Sequence, residues 1–365
     1  MRSEITLLLL LSACGGSPSP DGGQAATDAA AMDAAPIDAA PIDAARIDAP
    51  IDAAPIDARS GADAFVPPSG ACPAGSAELV LDLSGVALEP VAGLPIRDGA
   101  LNGWGIVEGP VWIGDALYVS HFGGGPTPRS RIYRVEGASV SVARDDSGTN
   151  GLALGPDGRL YGADHARGAI VSYDVAQLDQ APRIHAAEHD GARFDSPNDL
   201  VLRADGAIYF TDPDYQAPSS RPQRATRVYR VDPAGAIEVI DGITDQPNGI
   251  TLSLDELTLY VGSASGLRRY ALDAEGRVTS GPTAVAAISG GVDGLGRDCA
   301  GNLYVTNSGR VVILDRDERR VGSLSAPGAT NVAFGGSDRR TLYVTSLGDP
   351  PALRSAALNV PGLPY

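Results

Sequence analysis

The stretch SPNDLVLRADGAIYFTDPDY (196–215) decides the fold. LVL and AIYF have the alternating, β-branched and aromatic character of short strands, and ADG between them is a hairpin turn. The second of these strands returns along the chain as ALYVSH (116–121), RLYGADH (159–165), AIYFTD (207–212), TLYVGS (258–263), NLYVTN (302–307) and TLYVTS (341–346). Its tyrosines, at 118, 161, 209, 260, 304 and 343, are 39 to 51 residues apart. A turn signal such as GPDG, RADG, SLDE or DCAG precedes most copies, and a further strand such as RIYRVEG or RVYRVDP follows. Six units of this length, built from short strands with no helical pattern, predict an all-β fold, a six-bladed β-propeller over residues 71–365. A solenoid would need shorter repeats, and a sandwich would not repeat its sequence. ELVLDL (78–83) has no copy of its own, so it is expected to supply the outer strand that closes the ring with the last blade.

Nine to eleven residues before each Leu/Ile-Tyr pair stand Glu108, Asn150, Asn198, Asn248, Asp293 and Asn331. All six carry side-chain oxygens. In a propeller the innermost strands begin around one mouth of the central channel, so equivalent positions converge there. A ring of carboxylates and amides without His or Cys suits a hard divalent cation, Ca²⁺ foremost, with Zn²⁺, Mg²⁺ and Mn²⁺ as alternatives. Glycine follows four of the six (109, 151, 249, 294), which allows backbone or substrate to approach closely. Asparagine and aspartate also cap and turn chains without binding anything, and for Asn150 and Asn331 that reading stays open. Glu108 is a poor turn former.

EGPVW (108–112), TNGLAL (149–154), the 196–215 stretch, QPNGITLSLDELTLYV (246–261), DGLGRDCAGNLYVT (293–306) and NVAFGGSDRRTLYVTS (331–346) together resemble the senescence-marker/gluconolactonase (regucalcin-like) family, in the family's order. The resemblance implies a six-bladed propeller with a divalent metal, usually Ca²⁺, in its channel. Carried over by motif, Glu108, Asn248 and Asp293 resemble the metal ligands and Asn198 a fourth oxygen, on the metal or the substrate side. Asp199 resembles a second acid of the pocket. Two positions depart from the family. Ser196 stands where animal lactonase members have Arg, and His121 where bacterial members often have Asp.

The chemistry this implies is metal-assisted hydrolysis of a lactone or related cyclic ester, with Asp293 or Asp199 taking the proton of the attacking water. Asn150, His121, His165, Asp212 and Tyr215 are the candidate substrate contacts. His165 follows a return strand and should come back to the same mouth, and it matches a histidine common in the gluconolactonase-like branch; a surface-loop histidine is the alternative. His185 and His189 read as exposed residues between blades. No G-x-S-x-G, His-rich metal cluster or phosphate loop is present. A phosphotriesterase-like hydrolase and a non-catalytic, surface-anchored ligand-binding propeller with structural calcium are the alternatives to a lactonase.

The rest of the chain concerns location. MRSEITLLLLLSAC places a short apolar run before Leu-Ser-Ala-Cys, too short to span a bilayer, which takes about 20 residues. It is expected to be an export signal over 1–14 whose lipobox leaves Cys14 lipidated, with Gly15 directing the protein to the outer membrane by resemblance to Gram-negative lipoproteins. Residues 15–70 repeat Asp-Ala-Ala-Pro-Ile with nine aspartates against Arg46 and Arg59. This composition buries too little to fold and is interrupted by proline, so a disordered tether is expected. The formal charge of −17, with 28 basic residues that are all Arg, argues against nucleic acid as a partner. A small-molecule substrate, membrane contact through the lipid anchor alone and a monomeric state are expected. With Cys14 lipidated, Cys72 and Cys299 remain as an even pair in an oxidising compartment, and a disulfide tying the entry segment to the fifth blade is expected, with two free thiols as the alternative.

Overall fold

The computed structural model describes residues 72–91, 105–124, 128–241 and 245–363. The proposed leader, Cys14 and the linker of residues 15–70 lie outside the described residues. Within them the chain is all-β and propeller-like, with two short 3₁₀ turns (Ser76–Glu78 and Val175–Gln177) as its helical segments.

Four separate four-stranded antiparallel sheets follow one another. The first runs through Thr149–Leu154, Leu160–Asp164, Ala169–Tyr173 and Arg183–Ala186. The next takes Leu200–Leu202, Ile208–Asp212, Arg227–Val231 and Ile237–Asp241. Then come Ile250–Leu252, Thr258–Ser263, Gly266–Leu272 and Val278–Ala284, and after them Val292–Arg297, Leu303–Asn307, Arg310–Leu314 and Arg320–Ser325. A fifth sheet has eight strands. One half is Gly105–Ile113, Ala116–Phe122, Ser130–Glu136 and Ser139–Arg144; the other is Ala329–Gly335, Thr341–Gly348, Leu353–Ala357 and Glu89–Pro90. The halves meet where Gly105 and Ile106 pair with Gly348 and Leu347.

The recurring Leu/Ile-Tyr pair explains why these sheets stack. Successive residues of a strand point to opposite faces. Leu160 packs with Val111 and Ile132 of the preceding sheet, whereas Tyr161 packs with Leu200 and Phe210 of the following one. Ile208 and Tyr209, Leu259 and Tyr260, and Leu303 and Tyr304 divide their faces in the same way. Tyr343, stacked on Trp112 at 5.8 Å, joins the cluster with Leu117 and Val107, so the last strands pack against the first. Several of these tyrosines send their hydroxyls to the far turns: Tyr161 to Asp157 (3.1 Å), Tyr260 to Glu318 (3.1 Å) and Tyr304 to Asp298 (2.9 Å). Each repeat therefore buries one aliphatic and one aromatic side chain against different neighbours, a pattern that only a succession of like sheets satisfies.

One expectation fails. ELVLDL (78–83) forms no strand; its Leu81 and Leu83 lie against the core between the last two sheet runs, and Glu89–Pro90 pairs with Leu353–Ala357 instead. The segment is held by side-chain burial and by Asn359, which accepts from Asp82 N (3.0 Å) and donates to Val80 O (2.8 Å). With those edge groups satisfied locally, the chain reaches the open sheet edge only later. Cys72 and Cys299 are joined, with Cα atoms 5.5 Å apart, fixing this entry segment to the Asp298–Gly301 turn.

Candidate active site

The six oxygen-bearing positions lie where the innermost strands enter, and there the backbone leaves regular pairing. The ladder shifts between Glu108 and Val111, Thr149 and Leu152, Val292 and Leu295, and Ala329 and Val332. Asn198 and Asn248 precede their strands by two residues, and their backbone N–H groups donate to Thr211 O (2.9 Å) and Gly262 O (2.8 Å). A bulge adds a residue and re-aims a side chain.

The glycines beside the ring connect one sheet to the next. A Cβ on Gly109 would stand 2.4 Å from Asn150 O, and one on Gly151 would stand 2.7 Å from Asp199 Cα. On Gly249 it would lie 2.1 Å from Asp293 O, and on Gly294 2.6 Å from Asn331 Cα. Gly151 N donates to Asn198 O (2.7 Å) and Gly249 N to Asp293 O (3.0 Å). Asn331 Nδ2 then donates to Glu108 Oε2 at 3.0 Å, so the circuit closes on its starting residue. What these glycines admit is the backbone of the next sheet.

Hydroxyls two residues after the recurring tyrosines reinforce the same joints. Thr211 donates to Asn248 O (2.7 Å), Thr306 to Thr330 O (2.9 Å), and Ser120 pairs with Thr149 Oγ1 (3.0 Å). Thr345 meets Thr330, whose hydroxyl donates to Val107 O (2.6 Å). Sequence reasoning missed this set, although Ser or Thr in four of six copies was a visible signal.

Asp199 departs from the glycine pattern and adds a buried carboxylate to the ring. Leu200 N donates to its Oδ1 (2.9 Å), while Asn331 Nδ2, from the opposite side of the ring, lies 3.4 Å from its Oδ2. Burial and then the nearby Glu108 charge push its carboxyl up to about 8. Burial likewise raises Glu108 to about 7, although Gly109 N (2.8 Å) and Asn331 donate to it. Asp293 is raised well above the carboxylate range by burial, then by Glu108 and Asp199. Among the described residues no Arg or His forms an ion pair with any of these three acids. Asn150 contributes a buried Oδ1 with no donor among the described residues.

This donor set fits a hard cation: clustered carboxylates unbalanced by positive charge, amide oxygens, and one orphaned acceptor. Among the described residues no group of three or more His, Cys, Asp or Glu is arranged to hold a metal ion. The expected set of Glu108, Asn198, Asn248 and Asp293 is of another kind, two carboxylates with two amides.

The remaining candidates separate. Tyr215 is 42% exposed, and burial of its hydroxyl, then the nearby Asp293 charge, raise its pKa. Asp212 is fully buried and accepts from Asp195 N (2.9 Å) and Ser196 N (2.7 Å), so it anchors the segment leading to Asn198. Asp195, in turn, accepts from Arg221 (2.6 Å) and Gln223 N (2.8 Å). His165 is fully buried, with Nε2 3.1 Å from Pro128 O and its ring edge-on to Phe122 at 5.1 Å; burial depresses its pKa. A surface-loop role is therefore excluded for it, and no described hydrogen bond joins it to the three acids. His121, equally buried, pairs in register with Val107 and tilts against Tyr133. His185 and His189 are half-buried rather than exposed, packing on Tyr161 (4.7 Å) and Tyr229 (5.4 Å), because outer strands need cover on their inner faces too.

A family model described as the SMP-30/gluconolactonase/LRE-like region matches residues 108–348. The chain is similar to a gluconolactonase of Zymomonas mobilis, 29% identical over 273 residues, covering 66% of this chain and 75% of the relative. It is similar to a pentonolactonase of Haloferax volcanii, 29% identical over 259 residues, covering 66% and 81%. Among solved structures, a gluconolactonase of Xanthomonas campestris superposes with a TM-score of 0.60 at 28% identity, covering 74% of this chain and 97% of that one.

Proposed function

The chain belongs to the SMP-30/gluconolactonase/LRE-like family, and from that premise we propose that it is a divalent-metal-dependent lactonase that opens a sugar lactone or related cyclic ester. In this reading the eight-stranded sheet counts as two blades, giving a ring of six around the site. Relatives that open gluconolactone and pentonolactone support the substrate class. The observation that carries the site is the convergence of Glu108, Asp199 and Asp293 with amide oxygens, with no Arg or His paired to these acids among the described residues.

Glu108, Asn198, Asn248 and Asp293 would hold the ion, Ca²⁺ by the hardness of their oxygens, which when bound supplies Lewis-acid polarisation of the lactone carbonyl. Asp199 is the carboxylate left over from that set. It takes a proton from the water that attacks the carbonyl carbon and returns it to the ring oxygen as the C–O bond breaks, releasing the hydroxy acid. Tyr215 and Asn150 present a hydroxyl and an amide beside that centre and orient the sugar hydroxyls. Export and attachment through Cys14, with residues 15–70 as a spacer, would place the enzyme on the cell envelope as a monomer acting on small molecules.

The test is hydrolysis of an aldonolactone panel by wild type and Glu108→Gln, with chelator and with Ca²⁺ restored. Lactone opening that depends on both the ion and Glu108 supports the reading. A variant that folds and hydrolyses normally overturns it, and hydrolysis of phosphotriesters in preference to lactones replaces it with the phosphotriesterase alternative.

A further inference from the structure

Arg297 ends the inner strand that carries Asp293, four residues further on and at the opposite end of that strand. In register, the residues paired with the aliphatic member of each Leu/Ile-Tyr pair are Trp112, Leu154, Leu202, Leu252, Arg297 and Phe334. Five are apolar, and Arg297 alone puts a charge there. Its side chain is 4% exposed, lies over the Tyr260 ring at 4.9 Å, and donates from Nη1 to Gly301 O at 3.0 Å. Nε and Nη2 are buried with no partner among the described residues.

Those two nitrogens form the side-on edge of the guanidinium, the pair that meets two oxygens of a carboxylate or phosphate at once. Arg297 is one of the residues lining a cavity of about 570 Å³, within the roughly 300–1,000 Å³ of small-molecule sites and larger than a bare ion needs. Arg269, Arg316 and Arg319 also line it, against Asp255, Asp317 and Glu318. The cavity is thus positive by one charge on a chain whose formal charge is −17. The other three arginines are occupied: Arg269 with Glu318 (2.8 Å), Arg319 with Asp317 (2.8 Å), and Arg316 with Ala77 O (2.6 Å) and Ala300 O (3.1 Å). Among the described residues neither Arg316 nor Arg297 has a carboxylate partner, but Arg316 is exposed whereas Arg297 is buried, and a buried charge without a counterion is costly.

We propose that this cavity, at the far end of the Asp293 strand from the ring, is a second binding site that takes a small-molecule oxyanion, a carboxylate or phosphate monoester, on the Nε–Nη2 edge of Arg297. The site is independent of the reaction at the ring.

Thermal unfolding of the full chain is followed against inorganic phosphate and, separately, gluconate, with sodium chloride at matched ionic strength. Saturable stabilisation by either anion above the chloride control is expected, and the stronger one identifies the class. Asp293→Asn should keep the response, whereas Arg297→Lys, which keeps the charge and loses the fork, should weaken it at least tenfold. A response no stronger than chloride, or one unchanged in Arg297→Lys, overturns the proposal. Should Arg297→Lys fail to fold, crystals of the wild type soaked in selenate decide. Anomalous density within hydrogen-bond reach of Nε and Nη2 supports the site, and its absence there refutes it.

Discussion

Replacing Asp199 by Asn should destabilise the metal-free protein in acid and stabilise it at neutral pH. The folded state holds the Asp199 carboxyl up at about 8, against an ordinary value of 3.8. A group whose folded pKa is raised contributes stability that is complete below its unfolded pKa and is lost as pH climbs towards the folded one. At pH 7 the gap from the ordinary value is about three pH units, worth roughly 4 kcal/mol at about 1.4 kcal/mol per unit. Asparagine escapes that cost. It accepts one of the two hydrogen bonds from Leu200 N and Asn331 Nδ2 but turns its own donor towards the other, a loss of about 1 kcal/mol. The net is a variant less stable by about 1 kcal/mol near pH 4 and more stable by roughly 3 kcal/mol at pH 7. Urea unfolding of chelator-dialysed wild type and Asp199→Asn from pH 4 to pH 8 measures the crossing. Added Ca²⁺ should shrink the neutral-pH advantage, because a cation favours the charged wild-type cluster. A difference that does not vary with pH, or an Asp199→Asn protein less stable across the whole range, would refute the reasoning.

Further perturbations follow from the same geometry. Asp199→Asn should also lower kcat for lactone opening by about 10²–10⁴, the usual contribution of a positioned base, with KM little changed in steady-state assays. Gly249→Ala places a methyl 2.1 Å from Asp293 O, which only backbone movement relieves, so unfolding curves should show a loss of about 1–3 kcal/mol together with weakened Ca²⁺ binding. Gly158→Ala, at a turn where a Cβ meets nothing within 4 Å but φ is +76°, should lose stability and leave Ca²⁺ affinity intact. Breaking the Cys72–Cys299 bond by serine substitution should cost about 2–5 kcal/mol, read from the denaturation midpoint, with ring chemistry retained in the folded fraction.

How much of this was legible in the chain depends on whether a residue's neighbours repeat. Leu160-Tyr161 and its copies announced the sheets because every copy has the same task, one side chain to each adjacent face. The ring positions were legible for the same reason, since Glu108, Asn150, Asn198, Asn248, Asp293 and Asn331 keep one register. The glycines after them were visible, but the cause, the approach of the next sheet's backbone, depends on packing between sheets and has no local signature. Asp212 shows the limit of this reading, because sequence gives the position of a carboxylate and not the direction it turns, here back to Asp195 N and Ser196 N. For His165 the sequence left a surface loop and the channel mouth as alternatives, and only its burial against Phe122 excludes the loop. Arg297 was overlooked although it breaks an otherwise apolar register. In a repeat protein the exceptions carry information of their own, and Asp199 and Arg297 are the two that this chain displays most plainly.

The central claim is that Glu108, Asn198, Asn248 and Asp293 hold a divalent ion on which lactone opening depends. Calorimetric titration of Ca²⁺ into chelator-dialysed protein, with aldonolactone hydrolysis followed on the same samples, tests it most directly. One ion per chain, activity rising in proportion to occupancy, and loss of both in Glu108→Gln and Asp293→Asn are the predicted results. Lactone hydrolysis that proceeds unchanged in the chelated protein, or Ca²⁺ binding that survives both substitutions, would contradict it.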